Sequence, residues 1–428
     1  MACFVNVITV IIFMLLGGAR GQLEVDKYDN IVPFSLLCRI YNVAKNPPIS
    51  HVDLEEPFEI VEEINSLNAS LVEPKLFNES EHMGNSVGAK LTSTVTKETA
   101  LSQLSLNQIT QKAHTILEEI KKMNVTETIG KAKADFNKVI FGENGNESDL
   151  CQATVKDVGD RATACGDTAL SSKGSSAGNN LVVDFFCLCV QRQDGKGVNQ
   201  VCGFYVGSGY ENGQLGWNDT GLMGSSTMWA SIKGGCGKHM QQHPKSTAEA
   251  RHILDQFLKH LRTGGVHRWG TSKDKVEGSE RKEGMLGTSA CTENGVSGNC
   301  NIPICNGKEG KKGLSPGGVC VYYGHESEWH KIDWLKQYKT ALVSVEAANN
   351  QTATIQRAIQ KLQMLLHRAE EIYETTKVIT EIKNNVGMSA FQNVSGNLTV
   401  HNATRARSYS HSFPPYSMPL WFLLLLLL

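Results

Sequence analysis

The residues most able to do chemistry lie between positions 203 and 330. Gly313-Leu-Ser-Pro-Gly317 has the Gly-x-Ser-x-Gly form that, at a strand-to-helix elbow, presents a nucleophilic serine beside a backbone oxyanion hole. Here the residue after Ser315 is Pro316, which has no N–H to donate, and no apolar strand leads in, so the stretch reads as a turn. His325-Glu-Ser-Glu-Trp-His330 has the residue types of a zinc-protease helix, but its histidines are five apart and fall off the single face that His-Glu-x-x-His provides. Cys291, Cys300, Cys305 and Cys320 contain no close Cys-x-x-Cys pair and read as disulfide partners rather than zinc ligands. Gly203-Phe-Tyr-Val-Gly-Ser-Gly209 lacks the Lys-Ser/Thr and the following helix of a phosphate loop. His239, His243, His252, His260 and His267 cluster in sequence, with only Asp255 as a nearby acidic residue between His252 and His260, and read as surface and core histidines. No catalytic residue, metal or cofactor is expected.

The chemistry that the sequence does support is covalent modification. Asn-x-Ser/Thr acceptors begin at Asn68, Asn78, Asn124, Asn146, Asn218, Asn350, Asn393, Asn397 and Asn402, the last three crowded into one polar stretch. Ser408-Tyr-Ser-His-Ser412 is followed by a short spacer and by Pro419-Leu-Trp-Phe with six Leu, too short an apolar run to span a bilayer. Small residues, a polar spacer and a terminal apolar run form a signal for a glycosylphosphatidylinositol (GPI) anchor, with Ser410 as attachment residue and Ser408 and Ser412 as competitors. At the other end, the apolar run Phe4 to Leu16 followed by Gly17-Gly-Ala-Arg-Gly21 reads as a signal peptide over residues 1–21. Loss of that peptide removes Cys3 and leaves eleven of the twelve cysteines, Cys38, Cys151, Cys165, Cys187, Cys189, Cys202, Cys236, Cys291, Cys300, Cys305 and Cys320, as disulfide candidates with one left over.

With 42 basic against 43 acidic residues in 428, the chain has no basic excess for nucleic acid, and none is expected as a partner.

Those groups must be held by a mainly helical frame. From Trp329 to about Val386, apolar or small residues recur at Ile355, Ala358, Leu362, Leu365, Ala369, Ile372 and Ile379, with Ile359, Leu366 and Tyr373 widening the stripe beyond a two-stranded seam. A continuous helix there would be roughly 85 Å long, although the weakly apolar Val345-Glu-Ala-Ala-Asn-Asn-Gln351 is a place where it could break. The extra apolar positions Ile359 and Leu366 point to dimerisation. A second helix is expected over about 98–123, with Leu101, Leu104, Ile109, Ala113, Ile116, Ile120 and Met123 on one face packing against the first, and shorter ones over 32–44, 54–71 and 243–262. Between the long helices, residues 151–320 hold most of the cysteines and glycines. Leu181 to Val190 reads as a strand there, with Cys187 and Cys189 on one face. The expected architecture is an elongated helical hairpin or bundle with coiled-coil-like helices and a disulfide-rich, loop-rich lobe containing short strands.

Several stretches together carry a family resemblance: Leu36-Leu-Cys-Arg-Ile-Tyr-Asn-Val-Ala-Lys-Asn-Pro-Pro48, Asp184-Phe-Phe-Cys-Leu-Cys189, Gly224-Ser-Ser-Thr-Met-Trp-Ala-Ser-Ile232, Gly318-Val-Cys-Val-Tyr-Tyr-Gly324, and Asn349 to Leu362. On these the chain resembles the variant surface glycoproteins of African trypanosomes, in particular the B-type branch that lacks a separate cysteine-rich C-terminal domain. The resemblance implies a dense coat of GPI-anchored homodimers on the outer leaflet of the plasma membrane. Such a coat meets host antibodies, shields the membrane and is replaced by antigenic variation. It implies a variant-surface-glycoprotein N-terminal-type domain over 22–390 with the lobe at 151–320, a glycosylated stalk over 391–410, and removal of 411–428. The larger relatives carry a compact domain below the head that is missing here. The alternative on the same scaffold is a GPI-anchored nutrient receptor.

Overall fold

The structure, a computed structural model, describes residues 23–72, 88–167, 173–195, 197–207, 215–217, 219–238, 242–271, 275–293, 300, 302–310 and 316–389. It is mainly helical. The chain divides into two compact units, one of residues 1–80 with 103–370 and one of 81–102 with 371–428.

The centre of the larger unit is a short helix that the sequence reading takes for a strand. Leu181–Cys189 is α-helical, and all nine of its side chains are buried. A continuous apolar run has no period by which a buried strand can be told from a buried helix, and Val182 and Val183 favour the strand. What decides for the helix is its ends. The Asn180 side chain accepts from Val183 N at 2.9 Å as an N-cap. At the C-terminus, where the last carbonyls have no partner within the helix, Arg161 donates to Cys187 O at 2.8 Å and Val190 O at 2.6 Å. Asn30 donates to Leu188 O at 2.9 Å and also to Val319 O at 2.7 Å. Two residues apart on a helix are roughly 200° apart, so Cys187 and Cys189 point to different sides and bond Cys165 and Cys202 respectively.

Around this helix, here α6, the others take their places. We label the earlier helices α1 (Ile31–Lys45), α2 (Glu56–Val72), α3 (Gly88–Lys122), α4 (Val125–Phe141) and α5 (Arg161–Cys165), and the later ones α7 (Ser225–Gly237), α8 (Thr247–Thr263) and α9 (Asp333–Ser389). Helix α1 packs on α4, α6 and α8 and is buried along nearly its whole length. In α8 the apolar positions Ala250, Ile253, Leu254, Phe257 and Leu261 recur at helical spacing and are buried. Ser246 caps that helix by accepting from Glu249 N at 3.1 Å, while Glu249 reaches back to Lys245 N at 2.8 Å. It stops at Gly264, whose φ of +83° and whose distance of 2.0 Å from a notional Cβ to Lys282 O admit no side chain. Strands β1 (Gly216–Trp217) and β2 (Leu222–Met223) form a minimal pair, and β3 (Gly265–Thr271), β4 (Lys275–Lys282), β5 (Met285–Glu293) and β6 (Gly317–Tyr322) form a sheet in the order β4-β3-β5-β6. Its β3–β5 pair is parallel, the others antiparallel, and β6 lies on α6.

Helix α9 runs through 345–351 without a break, because Val345 and Ala348 are buried and Asn349 is tied to the chain after α1: it donates to Pro48 O at 2.9 Å and accepts from Ser50 N at 2.8 Å. Trp329 itself lies before the helix, in a 3-10 turn over Glu326–Lys331. Two expectations about stripes need correction. Ile359 is 5% exposed within its own chain, in line with Ile355 and Leu362, so it is not available to a partner. On α3 the buried line is Leu106, Ile109, Ala113, Leu117 and Ile120, whereas Leu101 and Leu104 are exposed. Hydrogen bonds join α2 to α3 (His114 with Asn65, 3.0 Å) and α2 to α9 (Gln363 to Glu56, 2.6 Å). In the smaller unit, Thr376 of α9 is buried and donates to Ser102 of α3 at 2.9 Å.

Five disulfides brace the larger unit: Cys38–Cys236, Cys165–Cys187, Cys189–Cys202, Cys291–Cys300 and Cys305–Cys320. Among the described residues Cys151 is the free one, exposed on a π-helical turn at Leu150–Thr154. The Cys38–Cys236 bridge closes a separation of 198 residues, for which the chain-entropy model gives about 5 kcal/mol against about 3 kcal/mol for the 13-residue Cys189–Cys202 link.

The first turn of α6 carries Asp184, which is fully buried and accepts from Tyr323 Oη at 2.7 Å, Trp334 Nε1 at 2.7 Å and Gly178 N at 2.8 Å. Burial outweighs these three donors and raises its carboxyl to about 6. A carboxyl raised in the folded state contributes stability that is fully present below its unfolded value and is lost as pH rises through the folded one. The unfolding free energy of the wild type minus that of Asp184→Asn should therefore fall between pH 4 and pH 7 by up to about 3 kcal/mol. A difference flat across that range, measured by urea titration, would contradict the assignment.

Candidate functional site

In the larger unit one pair of side chains has the form of a nucleophile and its base. His267 on β3 meets Ser289 on β5, Nδ1 to Oγ, at 2.9 Å. Neither is accessible: His267 is 1% exposed and Ser289 0%. The other imidazole nitrogen donates to Cys300 O at 2.8 Å, which makes Nδ1 the acceptor from the serine hydroxyl. Burial lowers the His267 pKa, so the ring is neutral at pH 7. The pair thus ties two parallel strands to Cys300 and is shut off from solvent among the described residues. Nothing in the local sequence marks it, since its three parts come from 267, 289 and 300.

The histidines singled out by their proximity are dispersed by the fold. His252 and His260 sit on α8, where His252 pairs with Gln256 at 2.7 Å and burial lowers the pKa of His260. His243 meets Asn42 of α1 at 3.2 Å. His239 lies outside the described residues, as do Ser315 and most of its Gly-x-Ser-x-Gly stretch. His325 precedes the 3-10 turn and His330 lies within it, where it contacts Ser327 O at 2.5 Å. Cys291 pairs with Cys300 and Cys305 with Cys320, so the four thiols imagined as a zinc set are spent in two bridges. Among the described residues no group of three His, Cys, Asp or Glu is placed to hold a metal ion.

A second buried charge is equally structural. Arg161 is fully buried with its guanidinium over the Trp217 ring at 5.4 Å. Burial, with Arg192 adding to it, lowers its pKa to about 9, which leaves it cationic at neutral pH at the C-terminal end of α6. Arg192 takes the acidic partners instead, Asp194 at 2.8 Å and Asp219 at 2.9 Å.

The acceptors for sugar differ in setting. Asn124, Asn146 and Asn350 are exposed, Asn350 on the solvent face of α9. Asn146 holds its own sequon in a turn, its Oδ1 accepting from Ser148 Oγ at 2.8 Å and from Asp149 N at 2.7 Å. Asn68 is different: its amide donates to Asn107 at 3.0 Å and accepts from Gln103 at 2.7 Å, joining α2 to α3. Asn78, Asn218, Asn393, Asn397 and Asn402 lie outside the described residues, as do the serines at 408, 410 and 412. No described helix is long and apolar enough to cross a membrane.

What the fold presents is therefore a braced, covalently cross-linked body with Asn124, Asn146 and Asn350 on its surface. The trypanosomal VSG domain model matches residues 78–364, more than half of the chain. Among curated proteins it is similar to variant surface glycoprotein YnAT 1.3 of Trypanosoma congolense, at 24% identity over 257 residues that cover 56% of this chain and 53% of that one. The chain spans about half the length of that relative. The chain belongs to the trypanosomal VSG domain family, whose members are surface coat glycoproteins and not enzymes.

Proposed function

We propose that the chain is a GPI-anchored coat protein that shields the parasite plasma membrane and supports evasion of host antibodies by antigenic variation. The observation that carries this reading is the family match over residues 78–364. In this reading residues 1–21 are a signal peptide, 22–390 form the head with its cysteine-rich lobe at 151–320, 391–410 a glycosylated stalk, and 411–428 leave when lipid is attached at Ser410, with Ser408 and Ser412 as competitors. Five disulfides around a buried core suit a frame whose exposed loops change while its interior does not.

Sugar belongs on Asn124, Asn146 and Asn350, which are exposed, while Asn68 would have to surrender its bridge to Asn107 and Gln103. Dimerisation, with a second copy of the chain as the partner, belongs to the open groove between α3 and α9. Ile116, Met364 and Leu365 line it, and Met364 is 64% exposed.

On cells expressing the protein, it should dominate the surface protein and be released by a phosphatidylinositol-specific phospholipase; replacing Leu423 to Leu428 with Ser should abolish anchoring. Release of a scarce protein would remove the coat reading and leave a receptor. Glycopeptide mapping should find sugar at 124, 146 and 350 and a bare amide at 68, and an occupied Asn68 would refute the ordering. By sedimentation, Met364→Glu should turn dimers into monomers, and unchanged dimers would place the interface elsewhere.

A further inference from the structure

Tyr41 stands in the core of the larger unit, 4% exposed, with its ring edge-on to Phe185 and Trp229. Tyr323 and Tyr338, which are fully buried, spend their hydroxyls on Asp184 and on Ala250 O. Among the described residues the Tyr41 hydroxyl has no hydrogen-bond partner, and although the ring is buried the hydroxyl opens onto a cavity instead of being sealed in the core. It lines a cavity of about 250 Å³ between the end of α1, α4 and the turn after α4. Ala44, Pro47, Ile140 and Phe141 make the apolar walls, and Lys45, Lys133 and Asn137 stand exposed at its mouth. Glu147 also lines the cavity and its negative charge is felt at the Tyr41 hydroxyl; it is ion-paired to Lys233, so Lys45 and Lys133 give the lining two positive charges against that one negative charge.

We propose that this cavity binds a small organic carboxylate, its apolar body against Ile140 and Phe141, its carboxylate between Lys45 and Lys133, and the Tyr41 hydroxyl donating to it. At about 30 Å³ for each atom the size of a water, the space holds a body of roughly eight non-hydrogen atoms, which excludes peptides and nucleotides. The charge-assisted contacts to the lysines supply the preference for an anion, and the phenol supplies direction. The site owes nothing to the coat reading, and either can fail without the other.

The test is ligand-observed NMR on the full mature chain with benzoate and, as a neutral match of similar size, benzyl alcohol. Benzoate should bind in the millimolar range or tighter and at least about tenfold better than the alcohol, by the strength of a charge-assisted pair. Lys45→Ala with Lys133→Ala should remove that preference, and Tyr41→Phe should weaken benzoate about fivefold. These lysines are exposed and the phenol has no partner to lose, so the thermal midpoint should hold in all variants. Equal binding of the two probes, no binding of benzoate at 10 mM as roughly the weakest useful concentration, or binding unchanged in the double lysine variant would overturn the proposal.

Discussion

A nine-residue helix buried on every side has eight backbone groups near its ends that water cannot reach, and the larger unit is arranged to satisfy them. Asn180 takes the N-terminal side. Arg161 and Asn30 take the carbonyls at the other end, and they come from α5 and from the residue just before α1. Asp184 then uses the same helix to hold the first turn of α9 through Trp334 and the exit of β6 through Tyr323. Charge runs the right way along the helix, anionic in its first turn and cationic beyond its last. Removing any one of these groups exposes another as a buried, unpartnered polar atom, which is why the network acts as one unit rather than as separate bonds.

The disulfides follow the same centre. Cys187 and Cys189 leave α6 on opposite sides, one toward α5 and one toward the Cys202 turn, so the helix is pinned covalently as well as by hydrogen bonds. Cys38 joins α1 to α7, and the remaining two bridges fasten the loops around β5 and β6.

Legibility in the sequence tracked the length scale of each signal. Helix α8 is legible as a helix over 243–262 from its own residues, while its start after Ser246 is set by the cap with Glu249, which that reading does not use. Helix α9 was plain from its heptads, but the fate of Val345 to Gln351 rested on Asn349 meeting Pro48 and Ser50, some 300 positions away. Helix α6 was misread because an all-apolar run carries no period, and the groups that make it helical come from 30, 161 and 180. The assignment of Ile359 to a partner failed for a related reason: a wide stripe tells that a surface is covered, not whether the cover is the same chain. Of the chemistry, the faults in Ser315-Pro316 and in the His325 and His330 spacing were visible at once, whereas the His267–Ser289 strut and the idle Tyr41 hydroxyl exist only in three dimensions.

The span of the Cys38–Cys236 bridge has a consequence for proteolysis. A protease that cuts anywhere between residues 39 and 235 produces two pieces, one carrying Cys38 and the other Cys236, and the bridge keeps them in one molecule. Cuts within 165–187 or 189–202 are held twice over. A single cut in that half of the body therefore releases no fragment until the bridge is reduced.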